Sequence, residues 1–387
     1  MAPLILRRFA PQDWAVILAI TAILYGGFAF LQLRKHGLDP SVLVLAGEQF
    51  TDRAEAPPEL TVYPDAGYDG QFYFRLAMAP FSTAERAAGV RFDYPVYRQQ
   101  RIVQGLLVRA LSFGSARATL WLLLLVNIAA ACAIALAGVR IARHYDLSPL
   151  YALALSLYPG YLLTMTRDLV EIVELAFVAW AMLAILRRKT VAAVVLLTIA
   201  ALTKEPALLV AAGPLATLAL DVVRRRASLR DARLLYAAPF AVFFAWKAFL
   251  FSLWGFPFNL GTGALVAPFA VVARRVAETF PPRQRWDALF LAEVLLLAVF
   301  CVVIAMAMRR SFAPLELKLS WVAYLLLTVT LGELFWAEDW SFLRATSELA
   351  ALGAVVALSS TIMMRRVVAV GVPVLWVLMA WEILTHR

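Results

Sequence analysis

Five stretches of this chain carry acids, bases and aromatic side chains at spacings that could do chemistry. The richest is Tyr68-Asp69-Gly70-Gln71-Phe72-Tyr73, where one carboxylate sits among aromatics. Phe72, Leu76 and Ala79 share one helical face and Tyr73, Ala77 and Pro80 another, which predicts a short amphipathic helix lying in the headgroup layer of a membrane. Asp69 then stands at its N-terminus, where the helix dipole favours the charged form. A carboxylate so placed can serve as a general base, and it can equally be a plain helix cap or the partner of Arg75. Arg98 and Arg101 follow, three residues apart and on one face if helical, and two guanidinium groups there suit a phosphate. Snorkelling to headgroups is the plain alternative.

In Arg167-Asp168-Leu169-Val170-Glu171-Ile172-Val173-Glu174 the acids recur every three residues, so Asp168, Glu171 and Glu174 form a stripe drifting into the bilayer. Acids at that depth call for a polar cavity or a partner. An Arg167–Glu171 pair at i, i+4 would account for only one of them. Lys204, in Thr203-Lys204-Glu205-Pro206, could hold a phosphate as a point charge or sit in a solvated turn beside Glu205. The last stretch holds Glu333, Glu338, Asp339 and Arg344 beside Trp336 and Trp340. Such a set can bind sugar hydroxyls or orient Arg344 toward an anion; an aromatic belt with an ordinary cap also explains it.

What must position these residues follows from composition. The chain is 63% hydrophobic and 16% charged, with mean hydropathy +0.78, well beyond what a water-soluble domain buries. Apolar runs at 14–33, 119–139, 147–164, 169–186, 191–202, 207–223, 234–253, 288–308, 317–334, 345–363 and 367–384 predict an all-α polytopic membrane protein of about eleven spans. Residues 1–387 form a single integral membrane domain, and 34–100 its long first outer loop, which carries the interfacial helix. The run 101–113 is short and charged and is expected at the interface or leading into the next span; 260–273 is similar. The first run lacks a cleavage pattern and is expected to be retained.

Cys132 and Cys301 lie inside apolar runs, and His36, His144 and His386 have no ligand spacing, so neither a disulfide nor a histidine metal centre is expected. The net charge of +10 comes from short basic runs between apolar segments, such as Arg140 with Arg143, Arg187-Arg188-Lys189 and Arg309 with Arg310. That pattern suits anionic membrane lipids rather than nucleic acid. Because the runs fall at alternate loops, the N-terminus is expected in the cytoplasm, and the acidic and aromatic motifs on the outer face of the cytoplasmic (inner) membrane.

Taken together, Tyr68-Asp69-Gly70-Gln71-Phe72-Tyr73, Arg98 to Ile102, Arg167-Asp168-Leu169 followed by Glu171, and Leu202-Thr203-Lys204-Glu205 resemble a bacterial member of the C-type glycosyltransferase superfamily. The resemblance covers the first half of the chain and reaches the second half only through 338–344. It implies a catalytic acid in the first outer loop and a polyprenyl-phosphate-linked sugar as donor. Many members show two adjacent acids in that loop; here Asp69 is flanked by Tyr68 and Gly70, and a large soluble outer domain is missing. The resemblance therefore implies a compact enzyme with no cofactor and no metal, a divalent cation being left open. On it, Asp69 deprotonates the acceptor hydroxyl, which attacks the anomeric carbon with inversion as polyprenyl phosphate leaves. Arg98, Arg101, Arg167 and Lys204 would stabilise the departing phosphate. Tyr68, Gln71, Tyr73, Asp168, Glu171, Glu338, Asp339 and Arg344 would hold the sugar or acceptor. The rival is a lipid-linked substrate transporter or flippase, which predicts inverted repeats and charges near the midplane; no repeat is visible. A non-catalytic membrane subunit is the third reading.

Overall fold

The computed structural model describes residues 13–228, 230–255, 265–336 and 339–386. Eighteen α-helices run through them. The first half holds α1 (Asp13–Arg34), α2 (Gly70–Met78), α3 (Pro95–Gln99), α4 (Ile102–Ser112), α5 (Ala116–His144), α6 (Leu153–Ser156), α7 (Gly160–Met165), α8 (Glu171–Leu186) and α9 (Thr190–Thr203). The second holds α10 (Leu208–Val223), α11 (Ala238–Trp254), α12 (Ala270–Thr279), α13 (Arg285–Met308), α14 (Leu315–Val329), α15 (Glu333–Trp336), α16 (Asp339–Ala345), α17 (Ser347–Leu358) and α18 (Ile362–His386). Among the described residues, sheet is confined to two pairs of two-residue strands in the first loop.

Among the described residues, six helices are long and apolar enough to cross a membrane: Trp14–Arg34, Ala116–His144, Glu205–Val223, Ala232–Trp254, Arg285–Met308 and Ile362–Thr385. The other expected spans are helical but shorter or broken. The run 147–164 is interrupted at Leu157–Pro159, because proline has no amide to donate and drives the residue before it out of the helical region. Carbonyls freed by the break are taken up by hydroxyls: Tyr161 donates to Leu155 O at 3.1 Å and Tyr25 to Ser156 O at 2.6 Å, as an apolar surrounding requires. Residues 345–363 divide at Ser359-Ser360 into α17 and the start of α18.

Burial sorts the helices into a core and a rim. Helices α8 and α17 are buried almost throughout, whereas only 11% of the apolar window of α13 is covered by protein. Its exposed Leu295, Val299, Val302 and Met306, with Val370, Val374 and Val377 of α18, form an apolar surface of the kind that faces lipid or a partner protein.

The polar motifs divide between the two ends of this bundle. Helix α8 runs from Glu171 to Leu186, about 24 Å, with the basic run Arg187-Arg188-Lys189 at its far end. At that far end Arg187 shares a cavity of about 330 Å³ with Trp14, Arg140 and Arg143, and Arg188 lies 3.3 Å from Glu316. Helix α9 then returns to deliver Lys204 beside Glu171.

Above the near end, residues 35–100 fold as a compact cap. Ala46 and Gly47 pair in parallel with Val62 and Tyr63, and Arg86 and Ala87 antiparallel with Val90 and Arg91. Helix α2 lies inside this cap. Its residues 70–77 are all buried, so it is not the interfacial helix expected: the loops on either side cover the face that amphipathicity assigned to headgroups. Arg75, fully buried, donates to Ala84 O at 2.6 Å, Glu85 O at 2.8 Å and Val90 O at 2.7 Å, and stacks on Phe92. Gly70 is where the cap meets the bundle: a side chain there would stand 2.5 Å from Arg167 O and 2.6 Å from Val44 O, both backbone.

Candidate functional site

Asp69 precedes α2 but does not cap it, since its own backbone is already helical and its side chain makes no capping bond. Nor does it meet Arg75, which is spent on the cap. Its carboxylate lies 2.9 Å from Arg98, with about a third of the side chain open to solvent. Arg98, nearly buried, is also gripped by both oxygens of Asp93 at 2.6 and 2.7 Å and lies over the ring of Phe72. Burial pushes the Asp69 carboxyl up, but Arg98 beside it, with Arg344 and Arg101 further off, outweighs that and holds it below the ordinary carboxylate range.

Arg98 and Arg101 do not share a helical face. The chain breaks between α3 and α4, with Arg101 outside helical geometry (φ −91°, ψ 56°), and the two guanidiniums take different partners. Arg101 donates to Glu205 at 2.6 and 2.9 Å, to Tyr97 Oη at 2.7 Å and to Tyr73 Oη at 3.0 Å. Burial pushes the Tyr73 phenol up to about 12 despite the arginine beside it, so it stays neutral.

The third group reaches deeper. Arg344 donates to Glu171 at 2.9 Å and to Tyr68 Oη at 2.8 Å, and Arg167 covers the Tyr68 ring at 4.7 Å. The ring of Tyr68 is thus flanked by two guanidiniums. Lys204 is buried, 3.6 Å from Glu171 and 3.7 Å from Glu348. Neither simple account of these residues holds: Glu171 pairs with Arg344 rather than Arg167, and Lys204 is a buried cation rather than a solvated turn.

Tyr68, Asp69, Tyr73, Arg98, Arg101, Arg167, Glu171, Lys204 and Arg344 therefore gather at one end of the bundle. Two expected members do not join them. Gln71 is fully buried with its amide engaged in the cap, accepting from Gly47 N and Thr51 Oγ1 and donating to Ala66 O, so it fastens loops rather than meeting a ligand. Asp168 falls in the turn before α8, at φ +46°, which rotates it off the stripe. It is fully buried, and neither carboxyl oxygen has a hydrogen-bond partner among the described residues. Glu338 lies outside the described residues, as does the side chain of Asp339.

The structure adds Asp93, Tyr97, Glu205 and Glu348, and it keeps Glu174 of the expected stripe buried one turn beyond Glu171. Glu348 had a legible signal, an acid one residue into an apolar helix; Asp93 and Tyr97 had none beyond proximity to Arg98. Among the described residues, no three His, Cys, Asp or Glu side chains are arranged to hold a metal ion.

Beside this end, a crevice of about 350 Å³ opens between α13 and α18. It is lined by Leu289, Leu296, Phe300, Leu343, Val372 and Met379, with the Arg285–Glu382 ion pair on its wall. Leu343 adjoins Arg344, so the crevice and the charged cluster share α16. Compared with known protein families and with curated proteins, the chain matches none.

Proposed function

We propose that this protein is an inverting membrane glycosyltransferase that moves a sugar from a polyprenyl-phosphate donor to an acceptor hydroxyl, with about eleven helical passes and its site on the outer face of the cytoplasmic membrane. The observation that carries the reading is Asp69: a partly open carboxylate paired to Arg98, with Arg344 and Arg101 further off, at one end of an apolar bundle. Asp69 takes the proton of the acceptor hydroxyl as its oxygen bonds to the anomeric carbon and the bond to the phosphate oxygen breaks. The departing phosphate carries the displaced electron pair and is stabilised by the arginines. Ion pairing to Arg98 makes Asp69 a weak base at rest. When a phosphate draws on Arg98, that restraint loosens and Asp69 becomes a stronger base in the state that needs one. The crevice beside Leu343 offers an apolar bed for a lipid chain whose headgroup lies at Arg344. Basic runs at the opposite end support the orientation, since such runs stay in the cytoplasm.

A panel of polyprenyl-phosphate sugars, incubated with the purified protein and followed by loss of donor, tests the activity. Asp69→Asn should reduce transfer at least a hundredfold while leaving donor binding intact, in line with about 10²–10⁴-fold for a general base. Full transfer by that variant would remove Asp69 from the mechanism. Turnover of none of the donors, with transbilayer movement of one of them, would favour the transporter.

A further inference from the structure

Behind the mouth, Lys204, Arg344, Glu171, Glu174 and Glu348 do not balance if every group is ionised. Arg344 is matched by Glu171 at 2.9 Å. Lys204 lies between Glu171 and Glu348 at 3.6 and 3.7 Å, longer than hydrogen bonds. Glu174 stands one turn along α8 from Glu171, and Glu348 opens α17, which packs against α8 beside the same lysine. Glu174 and Glu348 are both fully buried, and none of their four carboxyl oxygens has a hydrogen-bond partner among the described residues. With Glu171 matched by Arg344, Lys204 is left against two carboxyls closed to water, one negative charge too many. A buried carboxylate without a counter-charge takes up a proton instead. Two facing carboxylates are both acceptors and repel, whereas one proton between them makes a strong O–H···O⁻ bond.

We propose that Glu174 and Glu348 share one proton, forming a buried proton-binding site coupled to Lys204. The other titratable groups facing the pair are Glu171 of α8, Tyr161 of α7, Tyr324 of α14 and, on the Glu348 side, Tyr158. The phenols are uncharged near neutral pH, so Lys204 supplies the positive charge that the pair feels most directly. Proton occupancy therefore follows the charge around Lys204. An anion drawn to Lys204 tightens the proton, and removal of Lys204 draws in a second one. The site needs no substrate and stands whether or not the chain transfers sugars.

Infrared difference spectroscopy on the full-length protein in lipid nanodiscs, without ligand, reads the carbonyl stretch of protonated carboxyls and its shift in D2O. The wild type should show such a band at neutral pH, after subtraction of the contribution lost in Asp168→Asn. Glu174→Gln and Glu348→Gln should each remove the band, because two carboxylates then balance two cations. Glu174→Asp and Glu348→Asp should keep it, and Lys204→Met should roughly double it, as a second proton enters. A band removed by one glutamine substitution and left by the other would mean an isolated protonated acid and overturn the shared site. Spectra of wild type and both glutamine variants that superimpose would overturn it too.

Discussion

Substituting Arg101 by methionine and Glu205 by glutamine, singly and together, measures what fastens the cap to the helix bundle. Arg101 makes four hydrogen bonds to three side chains, two of them to Glu205, 104 residues away. The arginine side chain is 7% exposed and that of Glu205 29%. Breaking a fully buried pair from one side destabilises by about 3–5 kcal/mol. Water reaching the freed Glu205 recovers part of that, so Arg101→Met should fall at the lower end, about 3 kcal/mol. Glu205→Gln keeps an acceptor but leaves the more buried Arg101 charge without its counter-ion, so it should cost at least as much, about 3 kcal/mol. The double variant should then be less destabilised than the sum, with a coupling of about 1–2 kcal/mol. Unfolding in mixed detergent micelles, followed for all four proteins, gives the cycle. Arg101→Lys should not rescue, because one ammonium cannot hold the carboxylate bidentately and reach both phenols. Coupling within about 0.3 kcal/mol of zero, or a lysine variant as stable as wild type, would show that the cap is held elsewhere.

Asp69 sits below the ordinary carboxylate value of about 4 in the folded protein. Its pairing with Arg98 therefore stabilises fully above that value and is lost as pH falls through the lowered one. Transfer should accordingly persist through pH 4, about the normal titration of an aspartate, and its acid limb should move to higher pH in Arg98→Met, where burial acts without its nearest counterweight. A pH profile unmoved by that substitution counts against the assignment. Gly70→Ala places a methyl group against two backbone carbonyls that cannot step aside; it should destabilise by at least about 1–3 kcal/mol, and an unchanged melting temperature would refute the close approach. Arg75→Met removes donors from three carbonyls of the segment 84–90, so trypsin should cut at Arg86 and Arg91 several times faster. Equal cleavage of both proteins would mean that Arg75 does not hold that segment.

Local pattern carries information about which residues share an element, and where the element is continuous that information is sufficient. The apolar runs announce helices at 14–33, 119–139 and 288–308, and the structure has them as α1, α5 and α13. Pattern fails where the backbone departs from the assumed period. The three-residue recurrence of Asp168, Glu171 and Glu174 presumes a helix that starts at 168; it starts at Glu171, and one residue at φ +46° removes Asp168 from the stripe. The amphipathicity of α2 was legible, but not that the cap closes over its polar face: Gln71, expected at the sugar or acceptor, and Arg75, a possible partner of Asp69, are both taken up by the loops folded over them.

By itself, the sequence determined that this is a helical membrane protein with its cationic runs separated from its acidic and aromatic motifs, because apolar length and charge placement are properties of the chain in order. It also brought forward Asp69, Arg98, Arg101, Lys204 and Glu171 as residues whose types demand a reason at a membrane boundary. Only the tertiary structure decided their partners: Asp69 with Arg98, Arg101 with Glu205, Lys204 between Glu171 and Glu348, Arg344 on Glu171 and Tyr68. A buried charge is satisfied by whatever opposite charge the packing of distant helices brings within about 4 Å, and that distance is not written in the spacing of residues along any one of them.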